Sequence, residues 1–362
     1  MVNYFIIVKL VIAALAALSH GHPGNHEEHA LTGIAKREFL SQSRRSLDLC
    51  AAHLEKKGTL RKAEAHRRAL VNEHRRNSVK NVLNTDHESN LSSITIDTDS
   101  SVLFGNSTCI LSPEGEIGPF WVKGELVRQD IVDNEPGVVN YMHAQFIDVN
   151  TCEPVPELYW DVWNCNSTGI YSGVQDDSNG NGDDASNLDN TALRGVQKTD
   201  EDGVAVFKSV FPGHYSGRAT HVHVVAHTNA TLLSNNTLIG GSVSHIGQLF
   251  FDQDLITEVE ATYPYNTSDV DITLNSADRV FSVETTNSDS DPVFTYVLLG
   301  DDVSDGIFSW LTIGIDTSAS YSTSYAALLT ANGGVANDDS ESGGDEGAMP
   351  SGAPSGAPSP NN

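Results

Sequence analysis

Two histidines two residues apart, His221 and His223 in R-A-T-H-V-H-V-V-A-H, carry the first chemical signal in the chain. On an extended strand residues i and i+2 project from one face, so the two imidazoles converge and can share a metal ion. Val222, Val224 and Val225 favour that strand. Two tyrosines bear on that signal: Tyr171, just after the apolar run LYWDVWN, and Tyr215, six residues before His221. The turn Phe211-Pro212-Gly213 is expected to bring Tyr215 back over the histidine strand. Taken singly, each tyrosine reads as a half-buried aromatic with a bonded hydroxyl, and a His-x-His pair as two solvated side chains. A zinc or copper site on His221, His223 and His227 is a further reading, one that leaves Tyr171 and Tyr215 without a part.

The elements that must position these residues follow from the pattern around them. From about residue 101, short runs rich in Val, Ile, Phe, Tyr and Thr alternate with Gly, Asn, Asp and Pro clusters; YMHAQFIDV, VAVFKSVF, THVHVVAH and FSWLTIGI are examples. The expected fold is mainly β, an antiparallel β-sandwich domain over residues 101–325, with a short helical N-terminal leader. The leader, residues 21–100, holds leucines at rough helical spacing and ends in a polar linker or draped loop over 81–100. Residues 326–362, closing on repeated S-G-A-P units, read as an unstructured Gly/Ser/Pro/Asp tail. The loop 176–184 (DDSNGNGDD) imitates the start of a calcium loop with Asp177, Asn179, Asn181 and Asp183. Position 12 is Leu188 where a Glu is required, so a flexible acidic loop is expected instead.

Charge and targeting bound the function. The chain has 362 residues, 39% of them hydrophobic, and a net charge of −27. Residues 36–80 hold 13 Lys/Arg and 5 acids, whereas residues 81–362 hold 7 Lys/Arg and 41 acids. So acidic a body repels phosphate backbones, which argues against nucleic-acid binding. Residues 1–20, with the apolar run Phe5–Leu18 ending in small residues, read as a cleaved secretory signal, and no later segment reaches membrane-spanning length. Six N-x-[ST] sequons, at Asn90, Asn106, Asn166, Asn229, Asn235 and Asn266, suit an extracellular glycoprotein. In that compartment the four cysteines are expected as two disulfides, with Cys152–Cys165 and Cys50–Cys109 the favoured pairing of three.

Four segments together resemble the intradiol ring-cleavage dioxygenases, and most closely their secreted fungal branch. They are GPFWVKGELVRQDI (118–131), DVWNCNSTGIYSG (161–173), TDEDGVAVFKSVFPGHYSGRATHVHV (199–224) and GQLFF (247–251). The resemblance spans about residues 105–320. It implies a non-haem Fe(III) held by Tyr171, Tyr215, His221 and His223, a catecholic substrate and O2. Phenolates suit a hard ferric ion, whose charge brings the tyrosine pKa far below its usual value of about 10. It further implies that catechol binds as its dianion, that Tyr215 is displaced, and that the ring opens to a cis,cis-muconate-type diacid. Arg218 matches an arginine beside the bound ring and Gln248 a glutamine on the O2 side. His143, His214, His227 and His245 match no functional position. The segment between Tyr215 and His221 is only S-G-R-A-T, with Ala219 where the family commonly has Pro, so one pocket wall is expected to be small or open. A non-catalytic secreted protein that binds phenolics or sits in a cell wall is the alternative. The oligomeric state is unknown from sequence.

Overall fold

The structure, a computed structural model, describes residues 82–91, 94–95, 98–104, 116–285 and 291–337. The expected signal segment, the leader up to residue 81 and the tail beyond 337 lie outside the described residues. The first strands are β1 (Val122–Lys123), β2 (Val139–Asp148), β3 (Tyr159–Trp163), β4 (Arg194–Lys198), β5 (Val204–Val210) and β6 (His221–Thr228). They are followed by β7 (Thr231–Leu232), β8 (Leu238–Ile239), β9 (Ser242–Phe250), β10 (Thr295–Leu298), β11 (Ile307–Ile315), β12 (Ala327–Thr330) and β13 (Gly333–Ala336). Among the described residues three short α-helices accompany them: α1 (Ser100–Leu103), α2 (Gln253–Glu260) and α3 (Arg279–Thr285).

Two four-stranded sheets, ordered β10-β11-β2-β5 and β4-β3-β6-β9, pack face to face. Met142, Ala144 and Phe146 of β2 and Leu311 and Ile313 of β11 meet Trp160 and Val162 of β3 and Val222, Val224 and Ala226 of β6 in one core. The mainly β sandwich expected from sequence is therefore present, with one difference: it is not antiparallel throughout. β11 runs parallel to β2 over nine residue pairs, from Ile307↔Asn140 to Ile315↔Asp148. Parallel neighbours cannot be joined by a tight turn. The chain between them builds the whole second sheet, α2 and α3 before returning, so the pairing is invisible to a local pattern.

The two-residue period of β6 then has a second consequence. With Val222, Val224 and Ala226 in the sandwich core, His221 and His223 face outward, yet both are 2% exposed. A smaller apolar layer covers them, made of Ile117, Phe120, Trp121 and Val122, Trp163, Tyr171 and Val174, and Ala327 at the start of β12. Hence β6 is buried on both faces, and its alternation of His and Val separates two buried sides rather than a wet side from a dry one. The tail boundary expected at 326 shifts outward for the same reason. Ala327–Thr330 pairs in parallel with β1 and antiparallel with Gly333–Ala336, closing this outer layer. Within this hairpin Ala327 is the buried anchor, packed in the outer layer.

The cysteine pairing differs from expectation. Cys165 is buried and free, and Cys152 carries a disulfide that does not involve it. Cys152 follows the far end of β2, its N–H bonded to the carbonyl of Asp148, while Cys165 lies against Gly213 just beyond Val210. Val210 pairs with Val139 at the opposite end of β2, and nine strand steps at about 3.3 Å each far exceed the roughly 7 Å a disulfide can bridge. Cys50 and Cys109 lie outside the described residues.

The segment 82–91, read from sequence as linker or draped loop, is a strap over the back of the site. Val82 packs with Ala219, Phe250, Val280 and Phe281. His87 fixes the strap by bridging two carboxylates, Nδ1 to Asp252 at 2.5 Å and Nε2 to Asp291 at 3.1 Å. Burial alone would depress the His87 pKa, but these two carboxylates raise it to about 10. A raised histidine stabilises the fold fully below its unfolded value near 6.5 and loses that contribution as the pH climbs through about 10. His87→Gln is therefore expected to lower unfolding free energy by about 2 kcal/mol at pH 6 and by much less at pH 10.5, measured by urea unfolding. An equal loss at both pH values would contradict the charged bridge.

Candidate metal centre

On the outer face of β6, the side chains of Tyr171, Tyr215, His221 and His223 come together. His221 Nε2 lies 3.2 Å from the Tyr171 hydroxyl, 3.2 Å from the Tyr215 hydroxyl and 3.1 Å from His223 Nε2. His223 Nε2 in turn lies 3.1 Å from the Tyr171 hydroxyl. The other ring nitrogen of His221, Nδ1, donates to the Ala219 carbonyl at 2.6 Å, which leaves the Nε2 lone pair aimed at the cluster. That lone pair can accept one proton, yet three polar atoms converge on it. Such crowding of two phenol oxygens and two imidazole nitrogens is what a cation relieves, and hard oxygen with imidazole donors fits a ferric ion. Burial pushes the Tyr171 phenol well above its usual value, with Tyr215 adding to the rise, and burial likewise pushes Tyr215 up to about 12. Both phenols are thus neutral in the metal-free protein, and ligation of a cation must release their protons.

Each residue reaches the cluster by a different local device. His223 is stacked on Trp163 of β3, its cross-strand partner, with ring centroids 4.7 Å apart and planes within 5°. On its other side Gly118, at φ +76°, approaches so closely that a Cβ there would lie 2.8 Å from His223 Cε1. Tyr215 arrives as the turn after Phe211 predicts, and Gly169, at φ +90°, lets the Tyr171 turn pass directly over the His214 carbonyl beside it. His214 is held by Glu260 at 2.8 Å and by the Val270 carbonyl.

Tyr171 sits in the long connection between β3 and β4, and the loop that imitates a calcium site is what fixes it. Asn179 accepts from the Tyr171 N–H and donates to the Tyr171 carbonyl, each at 2.8 Å. Asn187 donates to the same carbonyl at 2.8 Å. Asn181 donates to the Val174 carbonyl, and Asp176 caps the turn at Ser178. Residues 176–189 are therefore a side-chain-braced clamp rather than the flexible acidic loop expected from sequence, because asparagine amides substitute for missing backbone partners. Leu188, at the position where a calcium loop needs Glu, packs against the outer apolar layer.

Arg218 and Gln248 stand beside the cluster, 2% and 0% exposed. Gln248 is the cross-strand partner of His223. Arg218 Nη2 donates to Gln248 Oε1 at 2.5 Å, and Nε donates to Asp278 at 2.8 Å. Burial works against the guanidinium charge, but Tyr215 and Asp278 hold its pKa raised. Asp278 also accepts from the Ala219 and Phe281 N–H groups, so it locks the turn that carries Arg218 to the start of α3. Sequence reasoning did not find Asp278, Asn179, Asn187, Gly118 or Trp163. Only the Asn/Asp-rich spacing of 176–187 offered a signal.

The histidines without a functional match stay apart. His143 is buried against Phe308 in the other sheet, His245 is buried on β9, and His227 bonds Asp161 at 3.0 Å and stacks on Trp121. His227 does not join His221 and His223: four strand steps from His223 span about 13 Å, too far to share an ion. Among the described residues no three His, Cys, Asp or Glu gather as a cation site, so this cluster owes its donor count to the phenols. No helix of the described residues is long and apolar enough to cross a membrane.

No protein-family model matches the chain, and no curated protein matches it. Solved structures to which it is similar are intradiol ring-cleavage dioxygenases. The chain is 29% identical to the intradiol ring-cleavage dioxygenase from Tetranychus urticae, over 59% of this chain and 97% of that one, with a TM-score of 0.49. It is 19% identical to catechol 1,2-dioxygenase from Pseudomonas arvilla C-1, over 57% and 62%, with a TM-score of 0.36. Hydroxyquinol 1,2-dioxygenase from Pseudomonas putida DLL-E4 is 16% identical, over 58% and 66%, with a TM-score of 0.35.

Replacing Asn179 by Ala removes both bonds to the Tyr171 backbone and leaves that buried amide unpaired. The expected cost is about 2 kcal/mol in urea unfolding, together with a fall in iron bound per chain after ferric loading. Unchanged iron content in the variant would show that the clamp does not position Tyr171.

Proposed function

We propose that this chain is a secreted non-haem ferric intradiol dioxygenase that opens catecholic rings with O2 to cis,cis-muconate-type diacids. The observation that carries the reading is the convergence of both phenols and His223 within 3.2 Å of His221 Nε2, with a buried arginine alongside. Tyr171, Tyr215, His221 and His223 would hold the iron. When bound, Fe(III) lowers the pKa of phenols and catechol hydroxyls and draws the catechol into an electron-rich, O2-reactive form, so no external reductant is needed.

The protein's own groups divide the remaining work. Tyr171 is 1% exposed and clamped by Asn179 and Asn187, so it is the fixed phenol. Tyr215 is half-buried and followed by exposed Ser216 and Gly217, so it is the phenol free to turn out and to carry away a catechol proton on its oxygen. Arg218, oriented by Asp278 and Gln248, holds a permanent positive charge where negative charge grows on the ring and on the incoming oxygen. Its charge is felt by both tyrosines. Phe120 and Trp163 cover Tyr171 and His223 and keep water from them. Ser216 and Gly217 are exposed beside half-buried Tyr215, so a ring would enter on that side as Tyr215 turns out.

Secretion is part of the same proposal. It rests on the apolar segment Phe5–Leu18 and on the sequons, of which Asn90, Asn229, Asn235 and Asn266 are exposed. Asn166 is half-buried, its side-chain Oδ1 accepting from the Thr168 and Ile170 N–H groups. Asn106 lies outside the described residues.

The test is O2 uptake by the iron-loaded protein with catechol. One O2 is expected to be consumed per catechol, and both atoms of labelled O2 to appear in the diacid product. Tyr171→Phe should lose nearly all activity, and Arg218→Gln should lower kcat by about 10²–10³-fold. Tight catechol binding with no O2 uptake would instead identify a non-catalytic phenolic binder.

A further inference from the structure

The cations of the folded body are all spoken for. The seven Lys and Arg residues between 81 and 362 all lie among the described residues. Arg128, Arg194, Lys198, Lys208, Arg218 and Arg279 each contact a carboxylate at 3.1 Å or less, and Lys123 lies over the Tyr325 ring. The same stretch of sequence holds 41 acids. Three of them flank contacts that lead to the two tyrosines. Glu135 bonds Asn166 at the turn leading to Tyr171. Exposed Asp269 and Asp271 flank Val270, whose carbonyl receives His214, the residue before Tyr215. Among the described residues, Arg218 is the Lys or Arg beside the cluster, and it is bonded to Asp278 and Gln248.

From this distribution we infer that the centre takes catechols whose ring bears no negative charge, ranking cationic above neutral above carboxylated rings. The inference deepens the dioxygenase reading and rests on it. A ring carboxylate approaching past Tyr215 enters a negative field and finds no described cation that is not already paired, so it gives up hydration without replacement. An ammonium side chain on the same ring meets the opposite field. Because Ser216 and Gly217 beside Tyr215 are exposed, a substituent directed past them stays near solvent and the discrimination is long-range, which makes it sensitive to salt.

The test uses the iron-loaded full chain under anaerobic conditions, titrated with catechol, dopamine and 3,4-dihydroxybenzoate. The readout is the dissociation constant from the change in visible absorption, with kcat/KM from O2 uptake measured alongside. At low salt dopamine is expected to bind at least about tenfold more tightly than 3,4-dihydroxybenzoate, with the gap shrinking at high salt. The double change Asp269→Asn, Asp271→Asn should narrow the gap at low salt. Equal or tighter binding of the carboxylate at low salt would overturn the inference, whether the missing cation came from the basic leader or elsewhere. A gap indifferent to salt would also overturn it, since that would place selection in contact rather than charge. Absorption that catechol itself leaves unmoved would remove the dioxygenase reading and the charge preference with it.

Discussion

His221 Nε2 is the atom on which the arrangement turns. Its lone pair is directed by a hydrogen bond from the far side of the ring to the Ala219 carbonyl, and two phenols and a second imidazole meet it. For that to hold, β6 must be buried on both faces. Val222, Val224 and Ala226 anchor it in the sandwich core, and the period of two then forces His221 and His223 to the opposite side. An outer layer must exist to enclose them, and the strap over 82–91, the clamp over 176–189 and the β12-β13 hairpin supply it or brace it. Buried polar side chains are costly unless satisfied, so each of these pieces also brings hydrogen-bond partners.

The division between rigid and adjustable parts follows from the same packing. Tyr171 is clamped at its backbone from two sides, whereas Tyr215 rides a short turn whose next two residues face solvent. Arg218 is fixed as firmly as Tyr171, but by a carboxylate at the head of α3, sixty residues away in sequence. The site thus has one phenol held in place, one phenol with room to move, and one charge held by distant structure. An acid–base reaction on a bound catechol needs that combination.

Much of the centre could be read from the chain. Strand periodicity alone places His221 and His223 on one face, and the Phe-Pro-Gly turn returns Tyr215 to them. The resemblance in four ordered segments named Tyr171, Arg218 and Gln248, and the structure brings all six together. What stayed hidden depends on contacts distant in sequence. Asp278 gives no local sign that it will meet Arg218, and the parallel β2–β11 pairing joins strands separated by more than half the body. The clamp was misread for a different reason: the spacing of Asp177, Asn179 and Asn181 suggested ion ligands or slack chain. Asparagine amides facing backbone amides serve a third purpose. The cysteine pairing failed because sequence proximity of Cys152 and Cys165 conceals a strand running between opposite ends of the sheet.

The central claim is that these four side chains hold a ferric ion through two phenolates. The most direct measurement is iron content with the visible absorption spectrum of the purified protein, beside the Tyr171→Phe variant. The account predicts one iron per chain and a broad visible band of phenolate-to-iron origin that moves when catechol is added without oxygen and is weakened or lost in the variant. A protein that remains colourless after ferric loading, or a band that Tyr171→Phe leaves unchanged, would contradict it.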